Sequence, residues 1–156
     1  KGRGFFISHQ WVGVRHPDPE MKQLVVLQDA LRQMMSGCST ISIAPTEEML
    51  GVHRKGLSTK KLQSGRNFLW YDYFSCPQLS EEDLKKSVDS IPGYITRCEY
   101  LFVLCPVLTR AEGRETMNKD TWGSRGWCLA EHMAGELCGV NDKVIVVESA
   151  THITMA

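Results

Sequence analysis

The 156-residue sequence is the length of one domain with one hydrophobic core. Its hydrophobic fraction of 42% and charged fraction of 23% are ordinary for a globular chain and argue against disorder. Basic and acidic residues both number 18, so the formal net charge is zero and no whole-chain attraction to nucleic acid or an anionic membrane is expected.

The first apolar run, Phe5-Phe6-Ile7-Ser8, predicts a buried strand whose C-terminal edge carries Ser8, His9, Gln10 and Trp11. His16-Pro17-Asp18-Pro19 follows as a loop, because two prolines forbid regular pairing. Leu24, Val25, Leu27, Leu31, Met34 and Met35 recur every three or four residues and predict a helix over residues 20–36, with Gly37 as its stop. Residues 38–66 give a weaker pattern. Ile41 and Ile43 alternate as in a short strand, and residues 46–50 suit a short helix capped by Thr46. Arg54, Lys55, Lys60, Lys61 and Arg66 form a basic stretch without an acid, read as a solvated loop.

Phe68-Leu69-Trp70-Tyr71 predicts the second strand, followed by Asp72, Tyr73, Phe74 and Ser75 and a loop from Cys76. Ser80 suits a helix N-cap, with Glu81, Glu82 and Asp83 in the first turn. That helix is expected to run toward Ser90 and to be kinked or restarted at Pro92, with Ile91 and Ile95 on one side. Tyr100–Leu104 reads as the third strand, ended by Pro106. A polar loop leads past Gly113 and Asn118 to Trp122. A helix over residues 127–137 would bury Trp127, Ala130, Ala134 and Leu137, and Gly139 would close it. Residues 143–147 form the fourth strand.

Continuous apolar strands alternating with helices imply a parallel sheet covered on both faces, a three-layer α/β sandwich. In such sheets ligands sit beyond the carboxyl ends of the strands. Three polar clusters fall there: residues 8–11, residues 72–78, and the segment leading to Glu131.

Between Trp122 and Glu131 stand two tryptophans, Arg125 and a carboxylate within ten positions. Trp127 and Glu131 are four apart and share a helix face, so a ring could stack on one while the other binds sugar hydroxyls. The alternatives are that both tryptophans anchor the core and that Glu131 pairs with an arginine. Asp72 ends a buried strand, where a carboxylate is costly unless bonded; it either binds ribose or holds a loop by accepting N–H groups. His9 is either a proton carrier or a bonded structural histidine. Cys128 and His132 are also four apart, but a shared helix rarely supplies nucleophile geometry. The dinucleotide, P-loop and serine-esterase signatures are absent from the sequence.

The six cysteines include no C-x-x-C pair, so no metal site is expected, and they are read as reduced, in a cytoplasmic setting. No apolar run reaches the ~18 residues of a membrane span. The chain begins at Lys1 and is expected to be a piece of a longer protein.

Phe5-Phe6-Ile7-Ser8 and Trp127-Cys128-Leu129-Ala130-Glu131 resemble the first strand and the Trp-Cys-x-x-Glu helix of Toll/interleukin-1 receptor (TIR) domains. Leu69-Trp70-Tyr71-Asp72 and the Arg125-x-Trp127-x-x-x-Glu131 pattern additionally resemble the fungal heterokaryon-incompatibility domain. Residues 9–11 depart from the plant TIR sequence after the first strand, and the last strand and helix of a full TIR domain are expected to be missing.

The resemblance implies a TIR/flavodoxin-like sheet and cleavage of the nicotinamide–ribose bond of NAD, to linear or cyclic products, in immune or cell-death signalling. NAD would be a substrate, with no cofactor. Glu131 would be the catalytic carboxylate. Ser8, His9 and Trp11, then Asp72, Tyr73 and Ser75, then Trp122, Arg125 and Trp127 would shape the substrate site. Homo-oligomerisation through TIR–TIR contacts would control activity. The alternatives are a non-enzymatic self-associating adaptor and a module that senses a nucleotide without cleaving it.

Overall fold

Alternate residues of an extended strand point to opposite faces, so an unbroken apolar strand needs cover on both sides. The computed structural model describes residues 2–51, 55–63, 65–110, 113, 115–139 and 143–156. Arg54 of the basic stretch lies outside them, and Lys55, Lys60, Lys61 and Arg66 are exposed. The chain runs β1 (Arg3–His9), α1 (Lys22–Met35), β2 (Thr40–Ile43), α2 (Pro45–Met49), β3 (Leu57–Ser58), α3 (Lys60–Gln63), β4 (Asn67–Tyr71) and α4 (Asp72–Ser75). It continues with α5 (Glu81–Asp89), α6 (Ile91–Arg97), β5 (Tyr100–Leu104), β6 (Leu108–Thr109), β7 (Thr116–Met117), α7 (Lys119–Ser124), α8 (Gly126–Leu137), β8 (Val144–Val147) and β9 (Ile153–Met155).

Seven strands form one sheet in the order β3-β2-β9-β8-β5-β1-β4. β4, β1, β5 and β8 are mutually parallel, as their sequences imply. The sheet is not wholly parallel: β9 runs antiparallel to β8, and β3 antiparallel to β2. β2 is parallel to β9, and the chain carries it from β1, next to the edge strand β4, to the far side of the sheet. β9 is a strand beyond the fourth apolar run that the sequence pattern did not separate.

Two cores lie on the two faces, which makes the architecture an α/β sandwich. Phe5 and Ile7 of β1, Phe102 and Leu104 of β5, and Ile145 and Val147 of β8 pack under Leu27, Ala30 and Met34 of α1. On the other face Phe6, Leu101, Val103, Val144 and Val146 meet Ile91 and Ile95 of α6, Trp122 of α7 and Cys128 of α8. The chain leaves β1 toward the α1 face and β5 toward the α7–α8 face. A crevice opens at the carboxyl ends of strands where such connections diverge.

Local chemistry sets the helix ends. Ser80 Oγ accepts from Asp83 N at 3.2 Å, the expected cap of α5. Pro92 restarts the chain as α6 after Ser90. Buried Asp18 Oδ2 accepts from Leu24 N at 2.8 Å, so the two-proline loop supplies the acceptor for the first turn of α1. The short α2 begins at Pro45 after Ala44, and no side chain caps it, Thr46 included; proline's fixed φ and missing N–H suit that first position. The segment before Trp122 is not a plain loop. It folds as the β6–β7 hairpin and α7, which Asn118 and Thr121 cap reciprocally.

The face of α8 differs from the expected one. Cys128, Glu131 and Gly135 are buried, whereas Trp127 is 65% and Leu137 87% exposed. Small residues let the helix lie close to the sheet: a Cβ at Gly135 would stand 3.3 Å from Leu101 Cδ2. Among the described residues no helix is long and apolar enough to cross a membrane.

Candidate functional site

The end of β1 puts three polar side chains in the interior: Ser8 is fully buried, and His9 and Gln10 nearly so. A buried hydroxyl needs partners. Ser8 Oγ accepts from Trp122 Nε1 at 3.0 Å and donates to Glu131 Oε2 at 2.5 Å. The indole N–H can only donate, so it takes a lone pair of the serine and leaves the hydroxyl proton for the glutamate. Cys128, one turn before Glu131, directs its thiol to the His9 carbonyl at 3.6 Å. α8 is thereby tied to the end of β1 at two successive turns.

Among the described residues no guanidinium clamps Glu131: its hydrogen-bond partner is a hydroxyl, and the charges acting on it are His9 and Asp72. Burial pushes its pKa up from 4.5 to about 7, against the lowering effects of the Ser8 bond and His9. Near neutrality this side chain can therefore either hold or release a proton.

Asp72, the first residue after β4, closes a second network. His9 Nε2 donates to Oδ1 at 2.8 Å, Tyr73 N to Oδ1 at 2.6 Å, and Trp11 Nε1 to Oδ2 at 2.9 Å. Burial alone would raise its pKa, but the bonds from His9, Trp11 and Tyr73, with the attraction of His9, hold the carboxyl below its usual value. The His9 ring stacks on Tyr71 at 4.3 Å between centroids. Its Nδ1 stands 3.3 Å from the Gln10 carbonyl and 3.5 Å from the Tyr71 hydroxyl. His9 and Asp72 thus join the ends of β1 and β4.

Between these networks and the helices of the α8 face lies a cavity of about 410 Å³. The strand ends contribute His9, Trp11, Asp72 and Tyr73, and the loop beyond contributes Cys76 and Gln78. α5 and α6 supply an apolar wall of Leu84, Val88 and Ile91; α8 supplies Trp127 and Glu131. The volume lies toward the lower end of the roughly 300–1,000 Å³ typical of small-molecule sites.

Of the residues singled out from the sequence, His9, Trp11, Asp72, Tyr73, Trp127 and Glu131 line this cavity. Ser8 and Trp122 stand behind it as support for Glu131. Ser75 does not line it; its hydroxyl accepts from Tyr71 N at 3.0 Å and fixes the turn out of β4. Arg125 also lies outside the lining and occupies the N-cap position of α8. Trp122 is the core anchor, 6% exposed, while Trp127 stands at the mouth. Asp72 is seen holding a loop, the second of its two sequence readings. His132 does not meet Cys128; its ring is edge-on to Trp122 at 5.8 Å. Burial, first, and the Glu131 charge raise the Cys128 thiol to about 12, which leaves it protonated and unreactive. Leu84 and Val88 of the apolar wall carry only a weak sequence signal: with Ile91 they follow at intervals of four and three, but on a highly charged segment. Among the described residues no group of three or more His, Cys, Asp or Glu side chains is placed to hold a metal ion.

The Ser8→Ala variant is expected to raise the Glu131 pKa further, by about one pH unit, since a hydrogen bond to a charged group contributes about 1.5–3 kcal/mol and water replaces part of it. Carboxyl-carbon NMR of Glu131 across pH measures this; an unmoved titration would mean that the hydroxyl does not stabilise the carboxylate.

No family model, curated protein or solved structure matches the chain.

Proposed function

We propose that the protein is a TIR-like NAD glycohydrolase or cyclase that breaks the nicotinamide–ribose bond, with Glu131 as its catalytic carboxylate. The observation that carries the reading is a buried glutamate at the wall of an aromatic-lined cavity, bonded to a serine and raised by burial to a pKa of about 7.

The chemistry follows from charge. As the bond from ribose C1′ to the pyridinium nitrogen breaks, its electron pair neutralises the ring, and nicotinamide leaves without needing a proton. Positive charge moves to the sugar, as in other oxocarbenium-like displacements. A carboxylate held in a sheltered cleft stabilises that charge more than it stabilises the ground state. In hydrolysis the water that attacks C1′ gives up a proton, and a carboxyl with a pKa of about 7 is matched to receive it. Trp127 and Trp11 offer ring faces at the mouth, and the His9–Asp72 pair fixes the floor. Cyclisation would replace water by a nucleophile of the substrate itself.

The reading includes homo-oligomerisation as a control of activity, from the TIR resemblance, and a cytoplasmic setting, from the cysteines read as reduced. Incubating concentrated protein with NAD and separating the products by chromatography tests it. Nicotinamide is expected with an equimolar amount of ADP-ribose or its cyclic form. Intact NAD after prolonged incubation, under conditions where the protein is oligomeric, would overturn the assignment.

A further inference from the structure

We infer that the outer edge of β4 is a self-association surface, which pairs antiparallel with β4 of a second copy about a two-fold axis at Leu69. The inference goes beyond the proposed chemistry by naming a surface for the homo-oligomerisation in that reading. It stands on the edge strand and needs no NAD.

β4 is the last strand on its side of the sheet, so one row of its backbone groups has no strand to pair with. The ladder decides which residues form that row. Arg3 N donates to Arg66 O at 2.8 Å, and successive residues of a strand direct their N–H and C=O groups to opposite sides. Arg66, Phe68 and Trp70 therefore face β1, while Asn67, Leu69 and Tyr71 face outward. The Tyr71 amide agrees: it donates to Ser75 Oγ at 3.0 Å, which closes the row at its C-terminal end. Leu69, at the centre, directs both its groups past the edge. Edges of this kind are usually blunted by lysine, proline, a bulge or a covering helix. Asn67–Tyr71 contains neither lysine nor proline, its register is unbroken, and Phe68 and Leu69 are 57% and 46% exposed.

The sequence is complementary to itself about Leu69. With the two-fold axis there, the two Leu69 residues form a hydrogen-bonded pair and exchange both N–H···O bonds. On the α1 face Leu69 borders an apolar hollow of about 190 Å³ beside Leu31, Met35 and Leu62, which the second Leu69 would cover. On the other face Phe68 comes opposite Trp70 of the second copy, a close cross-strand aromatic pair. Trp70 is already held by stacking on Phe6 at 4.5 Å between centroids. Beyond them exposed Arg66 comes opposite Asp72 of the second copy, whose bonds favour its charged form. Moving the axis to Phe68 or Trp70 would lose this match of unlike charges at both ends. A five-residue edge falls short of the roughly 1,200 Å² that stable dimers bury, so the pairing is weak and depends on concentration.

Sedimentation velocity of the intact chain, up to about 1 mM, is expected to show monomer passing to dimer. Leu69→Lys and Arg66→Glu are each expected to weaken that step at least tenfold, with the fold intact by circular dichroism. Should Leu69→Lys fail to fold, Arg66→Glu, at an exposed position outside the strand, decides. The register has its own readout: in a Leu69→Cys variant, a short bismaleimide is expected to link position 69 to position 69 of a second copy. Exposed Cys38 and Cys138 of the parent chain give the background, and mass spectrometry of the digest separates the links. A chain that stays monomeric throughout, an undiminished dimer in the folded variants, or links without a 69–69 product overturns the inference. Edge-dependent dimers without NAD loss would remove the glycohydrolase reading alone. NAD loss from a chain that stays monomeric would remove this inference and leave the chemistry standing.

Discussion

Glu131→Gln is expected to lower the rate of NAD loss at least a hundredfold, about 2.7 kcal/mol of transition-state stabilisation, while making the folded protein more stable in alkaline solution. The two halves have one cause. Glutamine keeps the size of the side chain and an oxygen that can accept from Ser8 Oγ, but it cannot carry the negative charge that a cationic sugar needs. Folding raises the Glu131 pKa from 4.5 to about 7, so the native state holds a proton that the unfolded chain releases earlier. Stability from this group is fully present below about pH 4.5 and is lost as pH rises through about 7. The gap corresponds to about 3 kcal/mol of destabilisation once the carboxylate is charged. The variant lacks that decline. Urea midpoints at about pH 5 and pH 8 measure it: the wild-type protein should lose stability between them, and the variant should lose less. An unchanged turnover rate would remove Glu131 from the chemistry, and identical pH slopes would remove its raised pKa.

Asp72→Ala is expected to cost about 2–3 kcal/mol of stability, because a buried donor left without an acceptor costs about 1–3 kcal/mol. The His9 side chain is 1% exposed and would keep its Nε2–H with nothing in place of Oδ1. Trp11 is 36% exposed and can turn its N–H to water, so its loss adds less. Asp72→Asn retains one acceptor oxygen and should cost about half as much. The pH dependence has the opposite sign to that of Glu131. The native pKa of Asp72 lies below the usual value, so its contribution is present above the usual carboxylate range and is lost as pH falls. Denaturant midpoints of the two variants and the parent at about pH 7 and pH 3 separate these effects. An alanine variant as stable as the parent at pH 7 would mean that the His9–Asp72 pair does not hold the strand ends together.

The central strands were legible because burial on both faces leaves an unbroken apolar run. Tyr100–Leu104 is such a run, and all five residues are buried. The inward face of α8 was misread because large apolar side chains suggest a core stripe. Here the small residues Cys128 and Gly135 are the ones that allow close approach, and that rotation turns Glu131 inward. Glu131, Trp127, Asp72, His9 and Trp11 could be picked out from their places at strand ends and on one helix. The bond that holds Glu131 could not, because Ser8 and Glu131 meet only through tertiary packing. The α5 part of the apolar wall was hidden for the opposite reason: Leu84 and Val88 lie among charges that suggest a fully solvated helix. Strand order was equally out of reach, since nothing local in Thr40–Ile43 says that it pairs with Ile153–Met155.

That last pairing has a consequence for how the chain reaches its native state. Ser42 and Thr154, more than a hundred residues apart, are register partners, and β3 joins the sheet only through β2. Neither can take its place as the ribosome delivers them; both must wait for β9 to emerge. Closing so long a loop carries an entropic penalty before any contact rewards it, and such topologies fold slowly. The side of the sheet that carries Glu131's partners, β1 and the end of β4, has no such delay. The β1–β4 side of the crevice can therefore form ahead of the opposite margin, which docks only once β9 is available.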